Sequence, residues 1–351
     1  MNENVVLIVL SAWSCILLQL GTDGKEQSPT GDGERLFFPN GHANVLLMNL
    51  STPTPAIPVR ASTVILVRDQ KGPLEVYLLK RSGRSDFMPG RYVFPGGTVD
   101  VDDADPDFWK AYGDMDPEQV RSRLGQGEPD LGLDEAMAYG IAAIRETFEE
   151  AGLLLARCST AASRDMEALS EQRSRGALPQ TWLRDLVLSG GWTLMLSALA
   201  PWSHWITPVA RSRRYDTRFF MALMPHGQEC QPDRRETTHG IWSTLSAALA
   251  GNLEGTIPLS PPTLITVQEL LPYPDIASLE REMDIRSWGE TRVPRLIPLP
   301  GGAILLLPWD PDYANEAFRP DVMRFNVGLS PSQRPISRIW YSNGLWLPLI
   351  P

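Results

Sequence analysis

Residues 133 to 152 read LDEAMAYGIAAIRETFEEAG, and this stretch constrains the chain more than any other. Small residues recur through its first half (Ala136, Ala138, Gly140, Ala142, Ala143), which lets a helix pack closely. Asp134 is placed to cap its start, and Gly152 to end it in the left-handed conformation that glycine adopts freely. On such a helix Glu146, Glu149 and Glu150 stand at i, i+3 and i+4 and share a face. Three carboxylates at that spacing repel one another unless something neutralises them. A divalent cation would do so, with Arg145 pairing to one carboxylate and holding its rotamer. A solvated, charged helix face is the alternative reading of the same residues.

The surroundings indicate what the helix packs on. ASTVILVRD (61–69) and LEVYLLKRS (74–82) are rich in β-branched and aliphatic residues and flank QKGP, a turn signal, so they predict a β-hairpin. RYVF (91–94) is a third short strand, and the Pro-Gly-Gly that ends it allows a tight loop and close backbone approach. Residues 100 to 134 are acidic and turn-rich and predict an insert with partial helix. Two helices are expected between 160 and 200, around SRDMEALSEQRSR and TWLRDLVLSGGWTLMLSAL. HWITPV, TRFFMALMP and HGIWSTL then predict strands, TLSAALAG and PPTLITVQELL helices, and the chain from Arg292 short strands and turns. The alternation indicates an α/β (α+β) fold, a mixed sheet flanked by helices. The expected division is an apolar segment and linker at 1–58, a domain at 59–272 with its insert at about 98–134, and a C-terminal extension at 273–351 packed on that domain.

The net charge of −10, without a lysine- or arginine-rich block, argues against a nucleic-acid partner. Cys15, Cys158 and Cys230 are widely spaced, and His42, His204, His226 and His239 are scattered, so neither a disulfide framework nor a zinc site is expected. Residues 5 to 20, VVLIVLSAWSCILLQL, are apolar but lack the basic residues that precede a secretory signal. An untranslated or loosely packed extension, a signal and a membrane contact through this run are the readings it allows.

The pieces FPGG (94–97) and AAIRETFEEAGLL (142–154) together resemble the Nudix box, G-x5-E-x7-R-E-U-x-E-E-x-G-U with U aliphatic. Gly97 matches its first glycine, and Arg145, Glu146, Glu149, Glu150, Gly152 and Leu153 its second half; Thr147 replaces an aliphatic residue. Gly97 and Arg145 are 48 positions apart where the pattern has 14, so 34 residues are inserted. Counted back from Arg145, Met137 stands where the first glutamate belongs, with Glu135 or Asp100 as substitutes. LLKRSGRSDFMPGRYVFPGG and HWITPVARSRRYDTRFFMA are similar to the long-insert branch of the family, whose members include coenzyme A diphosphatases.

The resemblance implies a Nudix-type α/β/α sandwich and hydrolysis of a diphosphate joined to a nucleoside, with Mg²⁺ or Mn²⁺ as cofactor and a small nucleotide-derived molecule as substrate. It makes Glu146, Glu149 and Glu150 metal ligands, with Glu149 a ligand or water orienter and Arg145 a residue that orients a glutamate. Glu236 is a candidate general base. Gly96 and Gly97 would let backbone approach the site, and Arg81, Arg84, Arg91 and Arg218 would meet phosphates, with Arg214 a similar candidate. Trp202, Trp205 and Trp242 are core residues or a platform for adenine. The branch implies coenzyme A or acyl-CoA, cut to phosphopantetheine and adenosine 3′,5′-bisphosphate. ADP-ribose or NADH cleavage, and a module that binds a nucleotide without cleaving it, are the alternatives. The final LPLIP lacks a peroxisomal signal of the SKL type, and a cytoplasmic location is expected.

Overall fold

The computed structural model of the protein describes residues 8–11, 14–17, 35–36, 45–46, 55–70, 72–85, 88–127, 129–159, 163–329 and 335–350. The chain divides into two units, residues 1–55 and 56–351. Within the first, Ile8–Ser11 pairs antiparallel with Ser14–Leu17, and Arg35–Leu36 with Val45–Leu46. The apolar run at 5–20 lies outside the described residues apart from those two short strands. Among the described residues no helix is long and apolar enough to cross a membrane.

The second unit is organised by a mixed sheet of seven strands. Its main path runs Ala200–Ile206, Tyr215–Leu223, Val59–Arg68, Glu75–Arg81, Thr237–Thr244, with Tyr215–Leu223 parallel to Val59–Arg68 and the other neighbours antiparallel. The predicted hairpin pairs only beside its turn, at Val67 with Val76 and Arg68 with Glu75. Beyond that its strands diverge. Tyr92–Val93 pairs with Glu75–Arg81 and Gly96–Thr98 with Val59–Arg68, so the Phe-Pro-Gly-Gly segment lies in the opening between them. The two glycines, expected only to end a strand, form one themselves.

Alternation along the strands sends side chains to two faces. Val64, Leu66, Tyr77, Leu79 and Phe220 are buried in one core with residues of the helix Leu133–Ala151. Ile65, Val67, Val76, Leu78 and Met221 are buried in another, with residues of the helices Leu245–Glu254 and Pro261–Leu270. The arrangement is the α/β/α sandwich that the resemblance implied.

The helix Leu133–Ala151 is preceded by Gly132 as its N-cap, so Asp134 lies in its first turn instead of capping it. Gly152 ends it with φ at 70°, as expected. The insert is largely ordered into the helices Pro106–Trp109 and Pro117–Leu124, the second opened by a capping box of Asp116 and Gln119. Trp109, Val120 and Leu124 are buried in the same core as Met137. The helix expected over 181–199 covers only Trp182–Leu188, because Gly190 and Gly191 take positive φ and turn the chain into the strand Trp192–Leu194.

The C-terminal residues form a second, antiparallel sheet of five strands, ordered Arg295–Leu299, Gly302–Leu306, Arg338–Ser342, Leu345–Ile350, Asn326–Val327. Leu305, Leu307, Ile339 and Trp346 share a core with Leu264 and Val267 of the helix Pro261–Leu270. Arg338 donates Nε and Nη2 to the two carboxylate oxygens of buried Asp310, each at 2.7 Å, which ties the loop after Leu306 to the next strand.

Candidate active site

In the last two turns of the helix Leu133–Ala151, Glu146 and Glu150 point their carboxylates at the Gly96–Gly97 backbone. Glu150 Oε2 accepts the Gly96 N–H at 2.8 Å. A Cβ built on Gly97 would lie 2.5 Å from the Glu146 carboxylate, so only glycine admits so close an approach. Glu146 and Glu150 are one helical turn apart and both largely buried. Burial, with Glu149 and Asp103 adding to it against the pull of Arg145, pushes the Glu146 carboxyl up to about 8. Burial and the nearby Glu146 charge raise Glu150 well above the ordinary carboxylate range. Glu149 turns away towards the helix Trp182–Leu188, accepting the Trp182 indole N–H at 2.7 Å.

Arg145 organises this cluster. Its Nη1 donates to Glu146 Oε1 at 2.9 Å and lies 3.3 Å from Glu149 Oε2. On its other side Nε donates to Asp103 Oδ1 at 3.0 Å, and Nη2 to Asp103 Oδ2 at 2.9 Å and the Thr98 carbonyl at 2.7 Å. Asp103 is 1% exposed. It was missed by counting back from Arg145, which leads to Met137, a core residue at 1% exposure. Counting forward from Gly97 would have found it, since Asp103 occupies the sixth position after that glycine, where the box pattern has its first acid. The inserted residues therefore fall between Asp103 and Arg145. Of the two substitutes considered, Glu135 is exposed and lines neither cavity of the site, whereas Asp100 lines both, its Oδ2 lying 3.8 Å from Arg145 Nη2.

Two cavities meet at the carboxylates. The larger, of about 390 Å³, and a second of about 240 Å³ are both lined by Asp100, Glu146, Glu149, Glu150 and Glu236. Glu236 is exposed, and its backbone N–H is held by Asp233 Oδ2 at 2.9 Å. Arg81 lines the larger cavity and donates to Ser85 Oγ through Nη2 at 2.9 Å.

Three of the arginines expected at phosphates lie elsewhere. Arg84 is exposed on a turn and lines neither cavity. Arg91 lies over the Tyr341 ring at 5.7 Å, outside both. Arg218 is buried on the opposite parity of its strand from cavity-lining Thr217 and Phe219, with its guanidinium 5.1 Å from the Trp288 ring and 5.9 Å from that of Tyr139. It is a core residue. Arg214 donates to the Thr207 and Ala56 carbonyls and serves the backbone. Of the three tryptophans only Trp205 reaches the larger cavity; Trp202 is core, and Trp242 packs beneath the Arg68 guanidinium at 4.2 Å.

The donor set suits a hard divalent cation. Its ligands would be carboxylate oxygens, and two of the carboxylates are buried with too little positive charge to offset them both. Among the described residues no three His, Cys, Asp or Glu side chains close around one point. Glu146 and Glu150 are the residues that could hold such an ion, with water and substrate oxygens in its remaining positions.

A family model described as the NUDT19 Nudix domain matches residues 57–270 of the chain. The chain belongs to this Nudix family. The human acyl-coenzyme A diphosphatase NUDT19 is 31% identical over 275 residues, covering 68% of this chain and 72% of that protein. Its Xenopus laevis counterpart is 29% identical over 278 residues, covering 69% and 72%. Among solved structures, a Nudix hydrolase from Alicyclobacillus acidocaldarius superposes with a TM-score of 0.53 at 24% identity, over 67% of this chain and 99% of its own, and shares the fold. As a Nudix hydrolase, the chain is an enzyme of the diphosphatase type, a class that generally works with divalent metal ions.

Proposed function

We propose that this chain hydrolyses the diphosphate of coenzyme A or its acyl thioesters, giving phosphopantetheine or its acylated form and adenosine 3′,5′-bisphosphate. The observation that carries the reading is the pair of buried carboxylates, Glu146 and Glu150, facing the Gly96–Gly97 backbone at the meeting of two cavities. A diphosphate at this junction can send one substituent into each cavity. The substrate class is that of the acyl-coenzyme A diphosphatases the chain is similar to.

Mg²⁺ or Mn²⁺ held by Glu146 and Glu150 would offset the diphosphate charge and lower the pKa of an attacking water. Arg145 acts through Glu146, fixing its carboxylate while Asp103 and the Thr98 carbonyl fix the guanidinium. The Gly96 N–H holds Glu150 in its rotamer. Glu149, a third of its side chain exposed and tied to Trp182, is placed to hold a cation or orient water. Glu236, exposed and lining both cavities, would take a proton from water, and Arg81 would meet a phosphate oxygen.

The test is turnover of coenzyme A, an acyl-CoA, ADP-ribose and NADH by the full chain with Mg²⁺ or Mn²⁺, products resolved by chromatography. Highest kcat/KM on coenzyme A or the thioester, with release of adenosine 3′,5′-bisphosphate, is expected. Preference for ADP-ribose or NADH would overturn the substrate assignment, and no turnover of any of them the assignment as a diphosphatase.

A further inference from the structure

The geometry points to a role for the C-terminal sheet in substrate selection: Pro294, Leu296, Leu305 and Trp346 form an apolar wall for the acyl-pantetheine limb of the substrate. The inference rests on the reading of the chain as a coenzyme A or acyl-CoA diphosphatase, and deepens it. None of the four residues lies within the 57–270 span matched by the Nudix-domain family model. All four line the larger cavity, which has Glu146, Glu149 and Glu150 in its lining as well. The cation-binding cluster and the wall are thus parts of one space.

The two cavities differ in chemistry. The smaller is lined by Arg173, Arg235, Asp233 and Gln180 beside the shared carboxylates. The larger holds Arg81, Arg145 and Arg211 beside those carboxylates, and adds Phe94, Trp205 and Phe219 of the main sheet and its strand-connecting segment to the four C-terminal residues. The two halves of an acyl-CoA differ in polarity. One bears adenosine with a further phosphate and is strongly charged; the other is an uncharged arm ending in a hydrocarbon chain. The apolar area of the larger cavity matches it to the acyl-pantetheine arm.

The wall is built to hold its shape. Leu296 and Leu305 are cross-strand partners in the C-terminal sheet. Leu305 and Trp346 are buried in the core that contains Leu259 and Leu264. The Trp346 carbonyl accepts the Asn252 side-chain N–H at 2.8 Å, and Gln268 Oε1 accepts the Ile336 N–H at 2.9 Å, which fastens the sheet to both helices beneath it. Arg292, two residues before Pro294, is held by Glu269 at 2.8 Å. A fixed apolar surface gains about fourfold in affinity for each methylene it takes out of water.

Leu296 is half-buried, so replacing it disturbs the core less than replacing Leu305 or Trp346 would. The experiment measures binding of coenzyme A and octanoyl-CoA by calorimetry to the full chain carrying Glu150→Gln, alone and combined with Leu296→Trp or Leu296→Ala. Thermal melts confirm folding. Octanoyl-CoA should bind about tenfold or more tighter than coenzyme A to the Glu150→Gln protein. Leu296→Trp, which fills the cavity, should remove most of that ratio, and Leu296→Ala should reduce it by less. A ratio near one in the parent, or one that neither change alters, overturns the inference. Failure of the diphosphatase reading has a different signature, absence of coenzyme A and acyl-CoA hydrolysis by the unmodified chain while the binding ratio persists.

Discussion

Asp103 and Arg145, 42 positions apart in the chain, are joined through Nε to Oδ1 at 3.0 Å and Nη2 to Oδ2 at 2.9 Å, both side chains buried. The pair closes the insert and sets the guanidinium that holds Glu146. Replacing Asp103 with Ala leaves the charge of Arg145 with one fewer partner in a dry site. The expected cost is about 3 kcal/mol in urea unfolding. Asp103→Glu, which restores the acid of the box pattern, should recover most of the turnover that Asp103→Asn loses. Equal loss in both would show that the carboxylate does no positioning.

Gly97→Ala tests the cradle. The added methyl group would meet the Glu146 carboxylate at 2.5 Å and must push it aside. Because the obstructed atoms are the end of a side chain, the melting temperature should change little, while kcat/KM falls by about 100-fold, the loss a displacement on the order of an ångström causes. Steady-state kinetics and a thermal melt on one preparation would decide it. Unchanged kcat/KM would mean that the Gly97–Glu146 approach has no part in catalysis.

Arg218 offers the opposite expectation. It is a buried cation whose Nε and Nη1 have no hydrogen-bond partner, and burial lowers its pKa. Arg218→Met should keep KM within about twofold, since the side chain lies outside both cavities. Its melting temperature should stay level or rise, because an apolar side chain of similar length suits the site. A large rise in KM with normal folding would return Arg218 to the substrate.

Much of this site was legible in the sequence, and its gaps have physical reasons. Helical periodicity put Glu146, Glu149 and Glu150 on one face, and Gly152 marked the end of their helix, because both signals are local. Asp103 is hidden because its partner Arg145 lies 42 positions away across the insert, and the position counted back from Arg145 falls on the core residue Met137. Arg218 could have been placed from strand alternation, since it shares parity with the buried Phe220 and Ala222. The tandem Gly190–Gly191 was a stop signal within an otherwise apolar, helix-like run. The C-terminal wall carried no signal of its own, because apolar strands at a cavity and apolar strands in a core read alike.

The central claim is that Glu146 and Glu150 hold the divalent cation, and direct Mn²⁺ titration followed by electron paramagnetic resonance tests it most closely. Free Mn²⁺ should fall on adding the unmodified chain, and Glu146→Gln or Glu150→Gln should weaken that binding by about tenfold or more while the protein stays folded. Mn²⁺ binding of the same strength in the folded Glu146→Gln and Glu150→Gln proteins would contradict the account.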